Sequence, residues 1–242
     1  MPERIGFDRK IHRVWMDLAA ETVLREQDPA AVRAALDRAL ASEVRGAEAR
    51  RKTVSVLTRI WLRVPEAHRP LRDEALSLWG DMARADRLWL YWGLTLLAYP
   101  LFRDVVTVVG RLLRVQERFT TGQVYRQIVA RWGERTTLEY AVRRAVRSLV
   151  DWGVLYPIRR GKGPYEATSP LTTSHAGLPL WLLEAALRSH PGDALPPYDL
   201  LRLPSLFPFR IDVGLDRLHA SARFLILREG DGRELVTVRG RG

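Results

Sequence analysis

Between Phe119 and Ala167 three successive patterns leave few folds open. Thr120-Thr121-Gly122-Gln123 has the spacing of a capping box, in which a threonine oxygen accepts from an orphan backbone N–H and a glutamine three positions on reaches back. A helix is predicted to start there. Val124, Ile128, Val129 and Trp132 recur at helical spacing, and Gly133 stands where a C-terminal cap is needed. Thr136-Thr137-Leu138-Glu139 is read as a second capping box, opening a helix with an apolar stripe of Leu138, Ala141, Val142, Ala145, Leu149 and Trp152, ended by Gly153. The other face of that helix carries Tyr140, Arg143, Arg144 and Arg147. Like charges this close repel by roughly a few tenths of a kcal/mol unless an anion lies between them, so an anionic partner is expected.

Val154 to Ile158 then reads as a strand, Arg159-Arg160-Gly161-Lys162-Gly163 as a turn, and Pro164 to Ala167 as the return strand. Two short helices followed by a basic hairpin predict a winged helix-turn-helix. That unit places its second helix in the major groove of DNA, where arginine can make paired hydrogen bonds to guanine while nearby cations contact phosphates. Arg143, Arg144 and Arg147 are the groove candidates, and Arg159, Arg160 and Lys162 the phosphate candidates. Thr121, Gln123, Arg135 and Tyr140 complete the set expected to face DNA. The competing reading is a charge run that merely solvates a helix surface.

The charge balance points the same way. The 242 residues carry 39 Lys and Arg against 28 Asp and Glu, a formal net charge of +11, and such a field favours encounter with nucleic acid or an anionic surface. Lysine occurs only as Lys10, Lys52 and Lys162, so a compositional preference for arginine contributes to the count. With 47% hydrophobic residues the chain is expected to fold, and the absence of cysteine excludes disulfides, zinc ribbons and iron–sulfur clusters while fitting a cytoplasmic location. Neither a secretory signal nor a membrane partner is expected: the longest apolar stretch, Leu88 to Phe102, is too short to span a bilayer and contains Pro100.

Three units are expected overall: an N-terminal helical bundle over residues 1–85, the winged helix-turn-helix over 86–170, and a small C-terminal α+β segment over 171–242, in a mainly α chain. In the first unit Asp8 is expected to cap a helix burying Ile11, Val14, Trp15, Leu18 and Val23, and Asp28-Pro29 to start a second. A third, Ala47 to Val64, buries Val56, Leu57, Ile60 and Trp61. Its Arg50-Arg51-Lys52 run is a second candidate phosphate contact. Pro65 and Pro70 precede a fourth helix. Asp86 to Tyr99 is apolar nearly all round and Leu101 to Glu117 amphipathic, so the first should lie beneath the second. After Pro170, a helix at Leu178 to Ser189 is expected, then irregular chain from Pro196 to Phe209, then a hairpin of Arg223–Leu227 and Glu234–Val238 that extends the wing sheet or forms a dimer edge.

Catalytic and cofactor signatures do not emerge from the sequence. Neither Walker nor Rossmann spacing occurs, and the five histidines are far apart and in no metal-binding pattern. Ser174-His175 and Asp193 lack a nucleophile elbow. No cofactor, no metal and no enzymatic activity are expected. The eight tryptophans are assigned to core packing, with stacking on single-stranded bases considered for Tyr140 and Tyr165.

Arg51-Lys52-Thr53 opening an arginine-rich helix, the apolar Leu88–Tyr99 helix, Phe102-Arg103-Asp104-Val105-Val106, and a capped helix pair ending in Leu149-Val150-Asp151-Trp152-Gly153-Val154-Leu155 together resemble the BrxA-like family of the BREX phage-defence systems. The likeness spans roughly Phe7 to Leu187, and neither the basic hairpin nor the proline-rich C-terminal part belongs to it. It implies a non-enzymatic, mostly helical protein that binds double-stranded DNA alongside other defence-system proteins. A dimeric winged-helix repressor and a protein–protein interaction module are the alternative readings.

Overall fold

The computed structural model describes residues 5–159, 162–228, 230 and 232–240. The chain is mainly helical, with a small C-terminal sheet of antiparallel strands. Among the described residues no helix is long and apolar enough to cross a membrane.

The first four helices are α1 (Arg13–Arg25), α2 (Pro29–Ala39), α3 (Ala47–Trp61) and α4 (Arg69–Trp79). Asp28 caps α2 by accepting from the Ala31 N–H at 2.7 Å, with Pro29 in the first turn, as its sequence dictates. Asp8 does not cap α1. Residues 5–12 are not helical, and α1 begins only at Arg13 with His12 as its N-cap. Its buried side is Trp15, Met16, Ala19 and Ala20, while Val14 is exposed, so the face differs from the one the periodicity suggested. The reason is tertiary. The Ile11 N–H donates to Ser148 Oγ at 2.8 Å and the Arg13 N–H to Asp151 Oδ1 at 2.8 Å, so the backbone donors that would have started a helix earlier are met by distant side chains.

At the centre lies α5 (Arg87–Ala98), buried along Leu88 to Leu96, which packs against α3, α4, α6 (Pro100–Val115) and α9 (Leu178–Ser189). Two glycines permit the closest approaches. A Cβ on Gly93 would lie 2.4 Å from the Trp181 ring of α9, and one on Gly110 of α6 would lie 2.1 Å from the Pro204 carbonyl oxygen of a 3-10 turn at Pro204–Leu206. All eight tryptophans are buried. Buried residues from the N-terminal helices, from α5 onward, and from the C-terminal part belong to one contiguous core.

Next come α7 (Thr121–Trp132), α8 (Thr136–Asp151), and an antiparallel hairpin of β1 (Leu155–Arg159) and β2 (Lys162–Ala167). The C-terminal sheet is separate from this hairpin: β3 (Ala194–Leu195), β4 (Phe224–Arg228) and β5 (Glu234–Val238) are ordered β3-β5-β4, so the last hairpin does not extend the first. Pro196 to Phe209, expected to be irregular, includes α10 (Pro197–Leu201) and the 3-10 turn; α11 (Leu215–His219) packs on β4.

Candidate nucleic-acid interface

The cap that opens α7 forms as its spacing requires. Thr120 Oγ1 accepts from the Gln123 N–H at 3.2 Å, and the Thr120 N–H donates to Gln123 Oε1 at 2.7 Å. Gln123 is thereby committed to the cap, and its amide nitrogen faces Gln116 Oε1 at 3.5 Å, so it is a local structural residue rather than a free base reader. Thr121 is the first helical residue and only half-buried. Trp132 closes α7 by donating its indole N–H to Asp104 Oδ2 at 2.9 Å, anchoring the helix to α6.

Gly133 and Gly153, with φ of 72° and 77°, end α7 and α8 in the region that favours glycine. The second capping box does not form. Arg135 is the N-cap of α8 without a side-chain cap bond, and its guanidinium donates back to the Trp132 carbonyl at 2.9 Å. Arg135 therefore braces the turn.

Helix α8 buries Leu138, Ala141, Val142, Ala145, Val146, Ser148 and Leu149. Its solvent side holds Glu139, Tyr140, Arg143 and Arg147, one row at steps of three and four. Tyr140 is 50% exposed, with the Arg143 guanidinium 5.7 Å from its ring centroid. Arg143 also pairs with Glu139 at 2.8 Å, an exposed one-turn pair contributing about 0.3–0.5 kcal/mol. Arg144 turns aside. Its guanidinium donates to the Asp8 carbonyl in a part-buried contact, so it locks the N-terminal segment and is not a groove candidate.

Arg147 and the hairpin come together. Arg147, Lys10, Val150, Pro157 and Tyr165 line one recess of about 300 Å³ between α8 and the strands. Pro157 and Tyr165 are paired across β1 and β2, so they point to the same face. Tyr165 is buried and packs on Phe119 at 5.7 Å between centroids, which removes it from base stacking. The other face of the hairpin pairs Tyr156 with Glu166. The Tyr156 hydroxyl, and then Arg118 at 2.5 Å, hold the Glu166 carboxyl below its ordinary pKa. This exposed knot is intact at neutral pH and is lost as the pH falls through that lowered value. Arg159 is exposed beyond an irregularity in the strand register. Arg160 and the side chain of Lys162 lie outside the described residues.

Lys10 escapes a reading of the sequence because it precedes the first helix by three residues and belongs to no pattern. Its ammonium lies 3.1 Å from Asp151 at the end of α8. The one available signal was its rarity as a lysine in this chain.

The N-terminal trio divides as well. Arg50 donates to Asp37 Oδ1 at 2.8 Å and to the Val44 carbonyl at 3.3 Å with its side chain 19% exposed, so it ties α3 to α2 and is withdrawn from phosphate contact. Arg51 and Lys52 are exposed. They share Glu48 at 2.7 and 3.3 Å, and Arg51 first, then Lys52, depress its pKa. Both line a different concavity from the one beside α8.

The chain matches no protein-family model, no curated protein and no solved structure.

Proposed function

We propose that this protein binds double-stranded DNA without catalysing a reaction, using α7, α8 and the β1–β2 hairpin as a winged helix-turn-helix. The observation that carries the reading is the shared recess in which Arg147 of α8 meets Pro157 and Tyr165 of the hairpin and Lys10 of the N-terminal segment. A helix standing in a major groove with Tyr140, Arg143 and Arg147 outward would bring that recess, and Arg159 near it in sequence, toward the flanking phosphates. The net charge of +11 and arginines that can neutralise phosphates as well as meet base edges lead to an affinity expected to depend strongly on salt and weakly on sequence. The resemblance to the BrxA-like family suggests the setting: an accessory DNA-binding component of a bacterial phage-defence system, acting in the cytoplasm beside other defence proteins.

The test is a gel shift titrated with salt. Replacing Arg143 and Arg147 together by glutamate is expected to lower the slope of log affinity against log salt by about 2, roughly 0.9 for each phosphate no longer neutralised. Each substitution should also cost about 1–3 kcal/mol if it reads a base. Arg144 is left untouched so that its bond to Asp8 survives. Unchanged slope and affinity in the double variant, with its melting temperature preserved, would overturn the assignment.

One observation favours a second reading, a protein-docking or homodimeric role. β4 is an edge strand of its sheet, and Leu225 and Leu227 on it are 36% and 46% exposed. Sedimentation velocity decides it: a monomer that binds DNA supports the first reading alone.

A further inference from the structure

A concave feature with a strongly charged lining lies along α3, apart from α8. It encloses about 600 Å³, and Arg51, Lys52, Ser55, Arg59 and Arg63 fall along one side of it. On α3 the spacing of three and four places Arg51 or Lys52, then Ser55, then Arg59 in a single row, and Arg63, just past the end of the helix, folds its guanidinium back onto Ser55. Glu48 offsets charge at the rim and Asp8 also lines the groove, leaving four cations against two carboxylates.

Two of the cations are held in place by neutral groups. Arg63 donates to the Ser55 carbonyl at 3.2 Å, the Ser55 hydroxyl at 3.1 Å and the Thr58 hydroxyl at 3.3 Å. Arg59 lies over the Tyr99 ring, 5.1 Å from its centroid, and forms no ion pair among the described residues. That ring is buried and its hydroxyl donates to the Val56 carbonyl at 3.3 Å. A glycine makes the wall possible: a Cβ on Gly6 would come within 2.8 Å of the Tyr99 ring. Arg59 and Arg63 line the same groove, where an anion between them would offset the repulsion of their like charges. Ile5, Val56, Pro65, Leu97 and Ala98 supply apolar lining.

We infer that this groove is a second ligand site, distinct from the α8 surface, which takes a phosphate ester of nucleotide size. Arg59 and Arg63, with Lys52 and the Ser55 hydroxyl, receive the phosphoryl oxygens; the apolar lining accommodates the ring system; and the Asp8 carboxylate offers an acceptor for a sugar hydroxyl. The volume exceeds what phosphate alone needs and falls within the range of small-molecule sites. The same phosphate chemistry is found in a free nucleotide and at the 5′ end of a DNA strand.

Calorimetric titration of the full chain with adenosine triphosphate tests the first source. Comparison of 5′-phosphorylated and unphosphorylated copies of one oligonucleotide tests the second. Saturable binding of the triphosphate, or tighter binding of the phosphorylated oligonucleotide, is expected. Arg59→Gln should weaken that binding at least about tenfold, as removing a charge-assisted hydrogen bond does, and Lys52→Gln serves as the parallel variant if Arg59→Gln unfolds. Arg147→Glu, which is aimed at the proposed DNA surface, should leave triphosphate binding unchanged, so the two assignments fail separately. Absence of both signals, or binding that Arg59→Gln and Lys52→Gln leave intact, overturns the site. Equal loss on Arg147→Glu also overturns it by placing the ligand on α8.

Discussion

Gly110→Ala is expected to destabilise the fold by about 3 kcal/mol or more, at the upper end of what overpacking costs. In a solvent-facing helix the same change would stabilise by about 0.5–1 kcal/mol, since alanine has less conformational freedom to lose. Here the packing decides the sign. The new Cβ would stand 2.1 Å from the Pro204 carbonyl oxygen and 2.9 Å from its carbon, with Phe207 at 3.3 Å. Those nearest atoms are backbone and cannot swing aside as a side chain can, so α6 must move away from the Pro204–Leu206 turn. The Trp92 indole N–H donates to the neighbouring Ser205 carbonyl at 2.9 Å, so that movement also strains a buried bond to α5. Urea denaturation followed by circular dichroism measures the loss. Gly80→Ala is the control: nothing lies within 4 Å of the Cβ it would add, and its φ of −62° suits alanine, so it is expected to be neutral or slightly stabilising. Similar midpoints for the two variants would contradict the packing argument.

Glu184→Ala is expected to cost about 3–5 kcal/mol, the usual consequence of removing one member of a buried ion pair. The Glu184 side chain is 9% exposed and accepts from Arg188 Nε at 2.8 Å and Arg223 Nη1 at 2.7 Å. Arg223 in turn bonds both oxygens of Glu74 on α4. The network therefore joins α9, α4 and the residue just before β4, which lie far apart in sequence. Burial alone would pull the Arg223 pKa down, but hydrogen bonds from Arg223 to Glu74 and Glu184 outweigh it and raise the value, which is how a desolvated guanidinium keeps its charge. Without Glu184, both arginines lose an acceptor in a place where water enters poorly. A double-mutant cycle with Arg223→Met separates pairing from desolvation: the paired variant should recover part of the loss. Strict additivity would show that the two side chains do not act together.

The features legible in the sequence were those fixed by local chemistry. Thr120 and Gln123 are three residues apart on one turn, and the glycines at 133 and 153 adopt the positive φ that their placement after an apolar stripe suggested. The buried faces of α7 and α8 followed from spacing alone, as did the burial of the tryptophans. What escaped was decided by partners far along the chain. Asp8 has the look of a cap, but the donors of residues 11 and 13 are met by Ser148 and Asp151. Arg144 looks equivalent to Arg143 and Arg147, yet its neighbour is a carbonyl 136 residues earlier. Arg50 differs from Arg51 only in rotation about α3, and that rotation points it at Asp37. A two-residue strand such as Ala194–Leu195 has too little pattern to detect, and Arg59 and Arg63 gain meaning only from the Tyr99 wall beside them.

The flank of α8 that faces the N-terminal segment is bonded to main chain over several turns: Arg144 to the Asp8 carbonyl, Ser148 to the Ile11 N–H, Asp151 to the Arg13 N–H, and the Trp152 indole to the Ile11 carbonyl at 3.0 Å. A rod clamped at so many heights has no freedom to roll about its long axis. The azimuth of Tyr140, Arg143 and Arg147 is settled before any partner arrives, and cutting away the first dozen residues would set that azimuth adrift even with every arginine still present.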